Sequence, residues 1–86
     1  MSSIQFAENG FADYLYWQKQ DRKTLKRINQ LLQDISRNGY DGIGKPEPLK
    51  HRKACSRRIN EEHRLIYNMD ENHNLIIFAC KFHYEE

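Results

Sequence analysis

Between Ser56 and Tyr67 the chain reads SRRINEEHRLIY, which sets Arg57, Arg58 and Arg64 among short apolar runs and two glutamates. A guanidinium presents a rigid fork of donors that matches the oxygens of a phosphate. Elsewhere stand a carboxylate between two prolines, Glu47, with Lys50 shortly after it, and an imidazole beside a phenol, His83 and Tyr84. A carboxylate, an imidazole and fixed cations together make a general base, a general acid and a charge stabiliser. Anion recognition is the least such a set supports, and acid–base chemistry at a phosphate is the most.

RNA is the phosphodiester that suits these groups, because it carries its own nucleophile in the 2′-hydroxyl. Cleavage there needs one group to take that proton, another to protonate the leaving 5′-oxygen, and cations to absorb charge at phosphorus. Glu47, His83 and Arg64 fit those roles, with Lys50, Arg57 and Arg58 as phosphate contacts. An unperturbed histidine titrates near pH ~6.5, and anionic RNA beside it favours the protonated form that the acid step requires. Each residue also has an ordinary reading. Hairpin arginines commonly lie on a solvated strand face, and a glutamate in a loop or a histidine near a chain end is commonly just surface. The aromatic run from Asp13 to Trp17, DYLYW, fits core packing of an amphipathic helix better than base stacking. Cys80 and His83, with His51, Cys55, His63 and His73, supply soft metal ligands in number. They do not form two clean ligand pairs, and strand alternation sends Cys80 and His83 to opposite faces, so no metal site is expected and Cys80 reads as packing.

The elements that must position these groups follow from periodicity. SIQFA reads as a short strand with Ile4 and Phe6 on one side. Asn9 is placed to cap a helix through GFADYLYWQKQ in which Phe11, Tyr14 and Leu15 share a face. Asp21 caps a second helix, where Leu25, Ile28, Leu31, Leu32 and Ile35 recur at helical spacing. Asn38-Gly39 ends it and opens the irregular stretch NGYDGIGKPEPLK, in which Gly42, Gly44, Pro46 and Pro48 oppose regular structure. SRRI, HRLIYN and NLIIFACKFHY then read as three strands in an antiparallel meander. The expected fold is α+β: an N-terminal strand, a helical hairpin and the meander, with the helices on one face of a twisted antiparallel sheet.

With 86 residues and 38% hydrophobic side chains, the chain suits one domain spanning residues 1–86. No apolar run approaches a membrane span, the first residues MSSIQFAENG lack a signal pattern, and a cytoplasmic protein with free thiols at Cys55 and Cys80 is expected. A net charge of +2 decides little, but its distribution is informative: residues 45–64 hold seven Lys or Arg against three Glu. A polyanion has one preferred place to dock.

Taken in order, DYLYWQ, KRINQLLQDI, GIGKPEPLK, SRRINEEHRLIY and the HY at 83–84 closely resemble the YoeB/Txe family of bacterial toxins, within the RelE-like toxin–antitoxin ribonucleases. The resemblance implies the matching fold and a metal-independent, cofactor-free endoribonuclease that cuts mRNA in the ribosomal A site through the 2′-hydroxyl and so halts translation. It implies Glu47 as general base, Lys50 and Arg58 as phosphate or RNA contacts, and Arg64 at the scissile phosphate. His83 would be the general acid, and Tyr84 would position the nucleotide. It also implies a partly disordered antitoxin of the YefM (Phd/YefM) type, homodimerisation and binding to the 70S ribosome. Three departures stand out. The turn HRKAC (51–55) is about two residues short and has Cys55 where the family has tryptophan, Lys81-Phe82 precedes HY, and Glu85-Glu86 follows it. Two added carboxylates beside His83 would raise its pKa or repel RNA. A catalytically degenerate module of the same fold, binding RNA, ribosome or antitoxin, is the competing reading.

Overall fold

The computed structural model describes residues 3–82. Along it run β1 (Ile4–Phe6), α1 (Glu8–Gln20), α2 (Arg22–Asn38), β2 (Glu47–Pro48), β3 (Cys55–Arg58), β4 (Arg64–Met69) and β5 (Leu75–Ala79). The strands form one sheet in the order β1-β5-β4-β3-β2, against which the two helices pack. The α+β fold is as expected, and β2 to β5 pair antiparallel with their sequence neighbours. The sheet as a whole is mixed, because β1 lies parallel to β5 with Ile4 opposite Leu75. Parallel neighbours need a long crossover, which the helical hairpin and the rest of the sheet supply.

α2 follows its sequence closely. The Asp21 carboxylate accepts from the backbone N–H groups of Lys23 and Thr24 and from the Thr24 hydroxyl. The bond from the Thr24 hydroxyl is the largest influence holding the Asp21 carboxyl below the usual carboxylate range. Gly39 ends the helix at φ +67°, donating its N–H to Ile35 O at 2.8 Å. Ile28, Leu31, Leu32 and Ile35 are buried against Leu65, Tyr67, Leu75 and Ile77 from the sheet. Each such side chain removed from water contributes about 1.5–3 kcal/mol.

α1 departs from expectation in both its start and its face. It begins at Glu8 after Ala7, with no side-chain cap, and Asn9 lies inside its first turn. Its start is fixed instead by the sheet, since Ala7 N–H donates to Ile77 O at 2.9 Å. Phe11 and Leu15, expected inward with Tyr14, are 50% and 40% exposed, while Gly10 and Trp17 are the buried residues. Gly10 explains the rotation: a Cβ there would stand 2.3 Å from Ile77 O, so only glycine lets this helix lie so near β5.

The stretch after α2 is irregular as far as Pro46 and then forms β2, although two prolines argued against a strand there. Because β2 pairs on one side only, with β3, it is an edge strand, where a proline's missing donor does least harm. The short turn 50–54 still closes, with Leu49 N–H donating to Ala54 O at 2.9 Å.

Candidate active site

Across an antiparallel ladder, directly paired residues share a face, and along a strand the faces alternate. Glu47 pairs with Ser56, Ser56 with Ile66, and Arg58 with Arg64. Glu47, Ser56, Arg58, Arg64 and Ile66 therefore share the sheet face turned away from the helices. Glu47 is exposed and the two arginines are half-buried, which leaves their charged ends within reach of a docked anion. One guanidinium nitrogen of Arg64 reaches the buried Ser56 hydroxyl at 3.4 Å, a long contact that ties the arginine to the middle of the face. Arg52 adds a cation from the β2–β3 turn, its guanidinium carbon 4.3 Å from the centre of the Phe78 ring. Lys50 lies exposed in the same turn. Sequence reasoning singled out neither Ser56 nor Arg52, since their relevance depends on pairing between strands.

Arg57 does not belong to this surface. It was expected to contact phosphate, but it points to the opposite face and is fully buried. Its Nε donates to the Tyr67 hydroxyl, Nη1 to the Asp34 carboxylate and Ile43 O, and Nη2 to Gly39 O and Asp41 O. Every guanidinium N–H is thereby committed within the fold. Asp34 also accepts from Ile43 N–H, and the Arg57 hydrogen bond above all holds the Asp34 carboxyl below its usual range. Burial pulls the Arg57 pKa down, but the bonds to Tyr67 and Asp34 outweigh it, so the group is a firmer cation than usual.

The buried arginine still shapes the site through the loop it holds. Its three carbonyl partners lie in the segment that leads to Glu47, and Gly44 O takes the N–H of Arg58 at 2.6 Å. Gly42 and Gly44, at φ +128° and +82°, allow the backbone to press against Asp34 and Leu31, where a Cβ would stand 2.0 and 2.9 Å from their side chains. Arg57 thus anchors the loop, and the loop delivers the carboxylate to the cationic face.

His83 and Tyr84 lie outside the described residues, but the chain leading to them is closely held. Cys80 N–H donates to the Asp13 carboxylate at 3.0 Å, and Cys80 O accepts from the Trp17 indole at 2.8 Å. Phe82 N–H donates to His63 Nδ1 at 2.7 Å, and Phe82 O accepts from Arg64 N–H at 3.1 Å. The Cys80 thiol is buried and pushed up to about 12, chiefly by desolvation, which makes it inert packing. A cavity of about 650 Å³ is lined by β1, α1 and α2 residues including Ile4, Tyr14 and Leu32, away from the Glu47 face. A polynucleotide docks along an open face, so cavity size is a poor guide to such a site.

The family model of the YoeB-like toxins of bacterial type II toxin–antitoxin systems matches residues 6–84. A Toxin YoeB from Synechocystis sp. is 51% identical over 84 residues, covering 95% of this chain and 96% of its own. The YoeB dimer from Staphylococcus aureus superposes with a TM-score of 0.89 at 48% identity, covering 96% of this chain and 98% of that one. The YoeB–YefM complex from the same organism gives a TM-score of 0.87 at 48% identity, covering 98% and 99%.

Proposed function

This chain belongs to the YoeB-like toxins of bacterial type II toxin–antitoxin systems, and from that premise we propose that it is an endoribonuclease cutting mRNA in the ribosomal A site. In this reading Glu47 takes the proton of the 2′-hydroxyl, whose oxygen attacks the adjacent phosphorus. A 2′,3′-cyclic phosphate forms as the bond to the 5′-oxygen breaks, and His83 supplies the proton to that leaving oxygen. Arg64 neutralises the charge that develops on phosphorus, Tyr84 orients the nucleotide, and Lys50 and Arg58 hold flanking phosphates. The nucleophile comes from the substrate, so these groups suffice without a metal ion or cofactor.

The observation that carries the reading is the strand register that sets the Glu47 carboxylate on one face with Arg58 and Arg64. A surface built only to hold phosphate gains nothing from a carboxylate among its cations. The departures in HRKAC leave that register intact.

The protein would act in the cytoplasm as a homodimer on the 70S ribosome, restrained by a YefM-type antitoxin. The S. aureus dimer and complex support the first and last of these partners. An acidic segment that folds on binding suits the cationic face, so RNA and antitoxin would compete for it. Added to a translating extract, the protein should produce cuts within reading frames, mapped by primer extension, that vanish for Glu47→Ala. Salt-sensitive binding with no new RNA ends would instead support the degenerate binding module.

A further inference from the structure

We propose that His63 is a positioning residue whose imidazole, acting as a hydrogen-bond acceptor, fixes Phe82, the residue that precedes His83 and Tyr84 in the chain. The inference rests on the reading of His83 as the general acid.

His63 is 9% exposed and sits edge-on to Trp17, ring centres 4.8 Å apart, with the Phe82 ring 5.6 Å away on another side. Packing alone could be supplied by any aromatic or branched side chain. The imidazole adds a lone pair: Nδ1 accepts the Phe82 N–H at 2.7 Å, so the ring proton belongs on Nε2. Nε2 faces the Glu62 carboxylate at 3.8 Å, which favours a proton there. Asn60 steadies the backbone on this side by accepting His63 N–H at 2.8 Å, while the Trp17 indole is committed to Cys80 O. The Lys81 ammonium lies over Tyr16 at 3.8 Å and over Phe82 at 5.1 Å.

The next residue completes the grip, since Arg64 N–H donates to Phe82 O. His63 and Arg64 therefore hold both polar groups of the residue that is one peptide bond from His83. Phe82 adopts φ +65°, a left-handed conformation that is strained for a residue with a side chain and needs such bonds to persist. The same dipeptide thus supplies the guanidinium proposed for the phosphate and fixes the residue that immediately precedes the proposed acid. Protonating His63 would turn Nδ1 into a donor facing another donor, and the grip on Phe82 N–H would fail.

Two variants and one spectrum test this. His63→Phe keeps a ring against Trp17 and removes the acceptor, while His63→Asn places a carbonyl oxygen near the position of Nδ1. On programmed ribosomes at saturating toxin, His63→Phe should lose about 10²-fold in cleavage rate, the scale of a small misplacement of a reacting group, with KM for ribosomes little changed. His63→Asn should recover most of that loss. In the wild-type protein, nitrogen NMR should find Nδ1 bare and Nε2 protonated, and the Phe82 amide proton should shift with the His63 titration. A proton on Nδ1, a Phe82 amide indifferent to that titration, or wild-type cleavage by His63→Phe would each overturn the inference. A wild-type protein inert on ribosomes would overturn the nuclease reading instead, while the spectra judge the His63–Phe82 bond independently.

Discussion

Arg57 and Arg58 are neighbours in sequence on opposite faces of β3, and substitution should separate them cleanly. Removing one member of a buried charge pair costs about 3–5 kcal/mol, so Arg57→Ala should lower the thermal midpoint sharply and loosen the loop that carries Glu47. Arg58→Ala should leave that midpoint nearly unchanged. It should weaken RNA binding uniformly across sequences and reduce the slope of log K against log salt by about one. Asp34 gives the pair a pH signature. Its carboxyl is held low in the fold by the Arg57 bond, so its contribution is complete above the ordinary carboxylate pKa near ~3.9 and is lost as pH falls through the lowered value. Asp34→Asn should therefore flatten the acid limb of the stability curve below about pH 4, read by denaturant midpoints across pH. Strand alternation puts the adjacent Arg57 and Arg58 on opposite faces. Which of them turned inward depended on where the loop from Gly39 to Ile43 closes, and that is a contact between distant segments.

At the scale of elements, α2 was legible because one apolar stripe, an aspartate cap and a terminal glycine all agreed. α1 was not, because its sheet-facing side is Gly10, Asp13, Tyr14 and Trp17, where Asp13 is a polar tether for Cys80 and Trp17 both fills the core and donates to Cys80 O. Its aromatic run proved structural at Trp17, as a core reading of DYLYW expects, while Tyr16 stays 41% exposed. The glycine that permits this packing gives a test. Gly10→Ala drives a methyl against Ile77 O and should cost about 1–3 kcal/mol despite the better helix propensity of alanine, seen as a lower urea midpoint at unchanged slope. β2 was missed for a related reason: local preference opposes a strand at Pro46-Glu47-Pro48, and only the pairing of Glu47 with Ser56 makes one. That pairing sets the loop glutamate on the face of Arg58 and Arg64.

The whole molecule joins two halves made by different means. Glu47, Arg58 and Arg64 are brought to one face by the ladder from β2 to β4, and the described chain that precedes His83 is held by Asp13 and Trp17 of α1, by the His63 imidazole and by the Arg64 backbone N–H. The sequence supplied the residue types and, through its resemblance to known toxins, the roles expected of them; the described residues supply the common face of Glu47 with Arg58 and Arg64. The account's central claim is that Glu47 and Arg64 act on the same phosphodiester. The most direct measurement is a double-mutant cycle on single-turnover cleavage of A-site mRNA in programmed ribosomes, using Glu47→Gln and Arg64→Ala. Each single change should slow cleavage by about 10²-fold or more, and the double variant should be far less impaired than the product of the two, because groups serving one transition state fail together. Single variants that cleave like wild type, or losses that multiply fully in the double variant, would contradict it.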